Sequence, residues 1–254
     1  MAGQWHNFLR NLGEWRGSFA SLDAAGQPSQ ISPSVLTLES AEDDRLVRFG
    51  LRRWPAGTPV APGGGPMPDA GAPDRVIQQD YRSLGKQVVF FETGTFCKGS
   101  LQLAPNTTFG GEFGFIGADR RHRLVVLYNE AGSFDQLVLI REFRAGSEAA
   151  EAPPTRSEQL LGRWRGEAAT ISADWPEPEL APVDVAFTPV DLQGARLLPD
   201  GGFCQLPERV SHREAFTLTG GWLPGQGGLE RLIRRYDATG AWHSTTHERL
   251  ERLP

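Results

Sequence analysis

Short runs of alternating apolar and polar residues recur along this chain, rich in Val, Phe, Leu and Thr and bounded by Gly, Pro, Asn or Asp. An apolar residue at every second position turns one face of an extended segment into a core and the other toward water. The clearest such runs are residues 45–52, 87–92, 124–128, 136–141, 215–219, 229–236 and 242–249. Two segments have helical spacing instead. Trp5, Phe8, Leu9 and Leu12 recur at intervals of three, four and seven, which predicts a short helix over residues 4–12. Ser157-Glu158-Gln159-Leu160-Leu161 repeats that arrangement in the middle of the chain. Residues 129–132 and 237–240 have the small polar composition of hairpin turns. No helical pattern separates neighbouring strands, so the expected architecture is all-β and antiparallel, without parallel βαβ units.

The pattern is duplicated. Leu12-Gly13-Glu14-Trp15-Arg16-Gly17 returns as Leu161-Gly162-Arg163-Trp164-Arg165-Gly166. Tyr128-Asn129-Glu130-Ala131-Gly132 is echoed by Tyr236-Asp237-Ala238-Thr239-Gly240. Paired opening and closing marks in the same order indicate an internal repeat. The opening marks lie 149 residues apart (Leu12 to Leu161) and the closing marks 108 (Tyr128 to Tyr236), so the second copy is 41 residues shorter. Two units follow, residues 1–146 and 156–254, joined by a polar linker over 145–155. Residues 55–73 carry six Pro and five Gly, which predicts a disordered surface insertion within the first unit.

Charge and cysteine content narrow the class. Among 254 residues the net charge is −5, and no basic run exceeds two residues, which argues against a nucleic-acid or anionic-membrane footprint. Two cysteines, Cys97 and Cys204, fall one per copy and are expected as free thiols. No signal peptide is visible at the N-terminus and no apolar run is long enough to span a bilayer, so a soluble, cytoplasmic protein is expected.

A short helix, a Gly-x-Trp at the head of a strand and a series of antiparallel strands resemble the calycin superfamily of β-barrels. Longer phrases resemble one family more closely. They are residues 8–19, Asp80-Tyr81-Arg82-Ser83-Leu84-Gly85, Phe90-Phe91-Glu92-Thr93-Gly94, Phe113-Gly114-Phe115-Ile116, and residues 167–175. This is the cyanobacterial and chloroplast family of paired calycin-like barrels, catalogued as a domain of unknown function and related to the chloroplast "biogenesis factor required for ATP synthase". The resemblance implies two tandem antiparallel barrels, each entered by a short helix, the second abbreviated. It also implies a role in assembling the ATP synthase F1 head, with F1 subunits as the protein partner. In barrels of this kind the Trp plugs the closed end and an Arg of the last strand lies across the indole. Arg141 and Arg249, each 13 residues past its Tyr, are the matching arginines, giving the pairs Trp15–Arg141 and Trp164–Arg249. The bland alternative is two unrelated surface arginines.

Candidate chemistry is sparse. His243 and His247 sit four apart on an expected strand, where they cannot share one ion, and solvent-facing side chains are expected. Gly63-Gly64-Gly65 opens no helix and reads as a flexible loop. Phe109, Phe113 and Phe115 share a strand face, and with Phe91 they form a candidate barrel lining. That lining would hold a lipophilic pigment such as a bilin, another tetrapyrrole or a carotenoid fragment; equally, it would simply fill the barrel. Glu92 and Glu112 among these aromatics would hold a ligand, act as an acid, or sit at a solvated rim. No catalytic, metal or cofactor motif is found. A non-enzymatic assembly protein is the first expectation, and a pigment carrier or lyase-like protein the alternative.

Overall fold

The computed structural model describes residues 3–23, 25–225 and 227–254. Helix α1 (Gln4–Leu9) leads into β1 (Gly13–Leu22), β2 (Pro28–Ala41), β3 (Leu46–Arg53), β4 (Arg75–Tyr81) and β5 (Val88–Phe90). Next come β6 (Phe96–Gly99), β7 (Phe109–Ile116), β8 (Arg120–Tyr128) and β9 (Phe134–Arg144). The second half repeats the plan with α2 (Ser157–Leu160), β10 (Gly162–Ser172), β11 (Glu179–Phe187) and β12 (Arg196–Leu197). It finishes with β13 (Gly202–Gln205), β14 (Phe216–Gly225), β15 (Gly228–Tyr236) and β16 (Trp242–Arg252).

Every ladder is antiparallel, and the strands form two sheets, one per half. Their orders are β4-β3-β2-β1-β9-β8-β7-β6-β5 and β11-β10-β16-β15-β14-β13-β12. The second order is the first without its β4-β3 end. The residues missing from the second copy are therefore the counterpart of the β3–β4 hairpin and its Pro-rich connection. In both sheets the outermost strands share no ladder among the described residues, so each barrel is a curled sheet open along one seam.

Strand alternation sends each sheet's side chains to two different cores. In the first sheet one face carries Trp15, Leu36, Leu38, Val47, Leu51, Phe90, Phe96 and Ile116, covered by Phe8 of α1. The corresponding face of the second sheet carries Trp164, Phe203, Leu229 and Leu250 with Leu160 of α2. The largest apolar cluster lies between the sheets. There Phe109, Phe113, Phe115, Leu124, Val126 and Tyr128 meet Leu218, Trp222, Leu232, Tyr236 and Trp242. Gly220 makes room for this contact, since a Cβ there would sit 2.8 Å from the Phe113 ring. Both cysteines are free and buried in this shared core.

Polar groups stitch the same boundary. Asp200 Oδ2 accepts from Arg120 and lies 3.3 Å from His122 Nδ1, while Asp200 Oδ1 accepts from the Ala152 N–H at 2.8 Å. Tyr128 donates to the Pro207 carbonyl (2.9 Å) and Tyr236 to the Ser100 carbonyl (2.9 Å). Buried polar groups need such partners, so the boundary is a specified interface and not a chance contact.

The Pro-rich stretch 55–73 departs from the expected disordered loop. It folds back onto β1, where the Gly65 N–H donates to the Gly17 carbonyl at 3.1 Å. The Trp54 indole ties its far end to the Gly71 carbonyl at 2.9 Å. Gly64 and Gly65 are buried at positive φ. A Cβ on Gly64 would lie 2.4 Å from the Arg16 carbonyl oxygen, so the glycines here permit close docking.

Candidate functional site

The two Gly-x-Trp phrases build equivalent plugs. Trp15 and Trp164 are 0% and 1% exposed. Each indole N–H donates to the carbonyl four residues earlier, Trp15 to Asn11 (2.9 Å) and Trp164 to Leu160 (2.8 Å). The glycine two residues past each Trp lies under the last strand: a Cβ would stand 2.0 Å from the Arg141 oxygen at Gly17 and 1.9 Å from the Arg249 oxygen at Gly166.

The arginines over these rings are not the expected ones. Arg144 lies 4.4 Å from the Trp15 centroid and Arg252 5.7 Å from that of Trp164. They are the direct cross-strand partners of the two tryptophans. Arg141 and Arg249 sit three residues earlier, and an odd offset on a strand turns a side chain to the opposite face. Arg141 instead pairs with Glu151 at 2.7 Å, and Arg249 reaches Glu167 at 3.8 Å on the surface. The repeat symmetry survives, because Arg144 and Arg252 each also donate to a carbonyl just after the short helix. These are Leu12 for Arg144 (3.2 Å) and Leu161 for Arg252 (2.6 Å).

Beside Arg121, which stands next to Trp15, the first sheet and α1 form a half-open cavity of about 240 Å³. Its walls are apolar and aromatic, with Phe8, Phe49, Tyr81, Phe90 and Phe96 among them. Its floor is charged. Arg121 and Arg123 alternate with His122 and Leu124 along β8, so both face inward. Glu142 of β9 is fully buried behind them. It accepts from Arg123 at 3.0 and 3.1 Å, and Arg123 also donates to Glu112 at 2.7 Å. Arg121 Nε lies 3.3 Å from Glu142 without hydrogen-bond alignment, and its guanidinium stands 5.1 Å from the Trp15 ring. Burial pulls the Arg121 guanidinium down to about 10, against the pull of the Glu142 carboxylate, which leaves it charged at neutral pH. Burial, then the Glu112 charge, raises the Tyr81 phenol above its ordinary value.

The expected lining is elsewhere. Phe91, Phe109, Phe113 and Phe115 face the second sheet and fill the shared core. Phe113 and Phe115 point away from Glu112 because they are odd-numbered on the same strand, and the inward face of β7 is the even one. Glu112 does line the cavity, as an ion-paired wall residue, whereas Glu92 is exposed. His243 is exposed as expected, but His247 is buried, 2.9 Å from Glu230, because its strand face is covered by Phe91 of the first half. Arg121, Arg123 and Glu142 escaped the sequence reading. The arginines had a signal: Arg121 and Arg123 alternate on a strand whose other face turns apolar from Leu124 onward.

The β3–β4 hairpin contributes Phe49 and Tyr81 to this cavity, and the second sheet has no counterpart to it. Among the described residues no group of three His, Cys, Asp or Glu could hold a metal, and no helix is long and apolar enough to cross a membrane.

These features define an all-β protein of two tandem antiparallel barrels, each entered by a short helix and plugged by a Trp under an Arg. Residues 1–147 match the family described as "Domain of unknown function (DUF3598), N-terminal", and the chain belongs to that family. Residues 185–253 match "Biogenesis factor required for ATP synthase 1, C-terminal domain". A solved DUF3598 protein of unknown function from Nostoc punctiforme PCC 73102 is 32% identical over 100% of both chains, with a TM-score of 0.83. An S-type phycobiliprotein lyase from Guillardia theta aligns over 55% of this chain and 91% of its own, at 16% identity and a TM-score of 0.34. No curated protein matches the chain.

Proposed function

We propose that this chain is a non-enzymatic binding protein of photosynthetic bacteria that assists assembly of the ATP synthase F1 sector. The observation that carries this reading is the match of residues 185–253 to the C-terminal domain of an ATP synthase biogenesis factor. The second sheet also has a surface suited to a protein partner. Without a β3–β4 counterpart, β11 is an uncovered edge, and Leu180 on it and Trp175 just before it are 64% and 63% exposed. An unprotected edge with large apolar side chains is a natural place for another chain to pair. A pull-down with the full chain against purified F1 subunits tests this, alongside F1 levels in a deletion strain. Capture of an F1 subunit, weakened by Leu180→Asp, supports it; no capture together with normal F1 levels sinks it.

A second reading is favoured by the cavity of the first barrel: carriage of a small apolar ligand, with a lipophilic pigment as one candidate. Protein that stays colourless when co-expressed with tetrapyrrole synthesis would remove the bilin form of this reading.

A further inference from the structure

The internal repeat shows what lies beside the free edge of the second sheet when that place is filled. β11 is the counterpart of β2: Trp15 pairs with Leu36 and Gly17 with Ser34, as Trp164 pairs with Val185 and Gly166 with Val183. The proline is kept as well, Pro33 opposite Ser18 and Pro182 opposite Glu167. In the first sheet β3 covers the far side of β2, whereas β11 ends its sheet. On that far side the Ile31 and Pro33 carbonyls accept from the Gly57 and Trp54 N–H groups. Backbone groups alternate in direction along a strand, so the outward-turned residues of β11 are the matching Leu180 and Pro182, then Asp184 and Ala186. The Arg163 carbonyl, opposite Ala186, accepts from Leu253 instead, which leaves Ala186 turned away from β10.

Side chains and charge say what fits there. β3 carries Arg48, Arg52 and Arg53 and no acidic residue, and sets Phe49 and Leu51 opposite Leu38 and Leu36. At the equivalent places β11 offers Phe187 and Val185, both only partly buried against the second core. Around them, residues 166–195 hold six acidic side chains and no Lys or Arg. Asp184 is paired with Arg163 and Arg165, but Asp174, Glu177 and Glu179 make no ion pair among the described residues. A second copy of the chain is a poor occupant. Its β11 brings the same acidic charge, and its β3 is already laddered on both sides.

We propose that β11 takes up an extended segment of another protein, antiparallel and alternating apolar with basic residues, in place of the missing β3. This rests on the assembly reading, in which β11 meets the partner, and names the chemistry of the strand it meets. Apolar side chains of that segment close over Val185 and Phe187, its backbone pairs with the outward groups, and its cations meet the acidic hairpin.

The chain's own β3 supplies the probe. A synthetic peptide of residues 45–54 is titrated calorimetrically into the full chain, beside the same peptide with its four arginines replaced by glutamate. The basic peptide should bind one per chain, at least about tenfold more tightly than the acidic one. Ala186→Pro removes only an outward N–H, so it should weaken the basic peptide at least about tenfold and leave the melting temperature unchanged. Should that variant not fold, Glu177→Lys with Glu179→Lys, both exposed, should weaken the peptide and flatten its salt dependence. No binding of the basic peptide overturns the proposal, and capture of an F1 subunit would then leave the assembly reading standing. Equal binding of the two peptides overturns the basic requirement. Full affinity in folded Ala186→Pro places docking away from the β11 backbone and overturns the strand pairing. A wild-type dimer that Ala186→Pro separates would give the edge to a second copy and overturn the choice of partner.

Discussion

At the scale of single residues the two Trp plugs show how a side chain and its neighbours are specified together. The glycine past each Trp lets the last strand cross within contact, and that crossing sets an arginine directly opposite the indole. Because Trp15 and Trp164 are buried to the same degree, Trp15→Ala and Trp164→Ala should each cost about 3–5 kcal/mol, despite the shorter second sheet. Denaturant melts check this, and a difference well beyond 1 kcal/mol would show that the smaller core around Trp164 relaxes around the void. Arg144→Ala should destabilise more than Arg249→Ala, since Arg144 holds both the Trp15 face and the Leu12 carbonyl, whereas Arg249 reaches only a surface carboxylate.

His122 gives the residue scale a pH dependence. Burial holds its pKa below the ordinary 6.5, only partly countered by Asp200. The folded state therefore keeps this imidazole neutral while the unfolded chain protonates it, so the unfolded state binds more protons as pH drops below about 6.5. Stability from this group is full above that value and falls as the solution is acidified. His122→Gln should flatten the decline in melting temperature between neutral pH and about pH 5. An unchanged slope would place the acid sensitivity elsewhere.

At the scale of elements, the Pro-rich connection matters more than its composition suggests. Loop closure alone makes shortening cheap, since its entropy varies slowly with length. Docking changes that balance, because the stretch satisfies the Gly17 carbonyl and covers Phe143 through Gly64. Deleting residues 58–70 should leave a folded protein that is about 1–3 kcal/mol less stable, roughly the cost of exposing those partners. A neutral deletion would mean that water replaces the docked backbone without loss. The β3–β4 hairpin on either side of this connection is the element that makes the first barrel a container and whose absence opens the second.

At the scale of the molecule, the two sheets share their largest apolar cluster. Phe109 and Phe113 of the first half and Leu218 and Trp222 of the second are buried in one common cluster. Thermal unfolding should therefore be one cooperative transition, with Leu218→Asp lowering it for both halves together. Two separated transitions would show that the halves are energetically independent. The interface also explains why His247 is buried and why the shorter copy holds its fold.

Much of the architecture was legible along the chain. Periodicity of two marked the strands, the repeated Gly-x-Trp phrases marked the duplication, and the 41-residue deficit became the missing β3–β4 hairpin. These are local signals, carried by turn residues and by which positions are apolar. What the sequence did not decide was which core each apolar face serves. Alternation gives two faces per strand, but β7 and the Arg121–Arg123 stretch of β8 are covered on both, one face inside the first sheet and the other against the sheet of the second half. The candidate lining Phe91, Phe109, Phe113 and Phe115 was thus placed on the wrong side, and Arg121 and Arg123 were passed over. Only the tertiary structure fixes the register that sets Arg144 and Arg252 over their tryptophans, because a strand pairing displaced by an odd number of residues presents the opposite face.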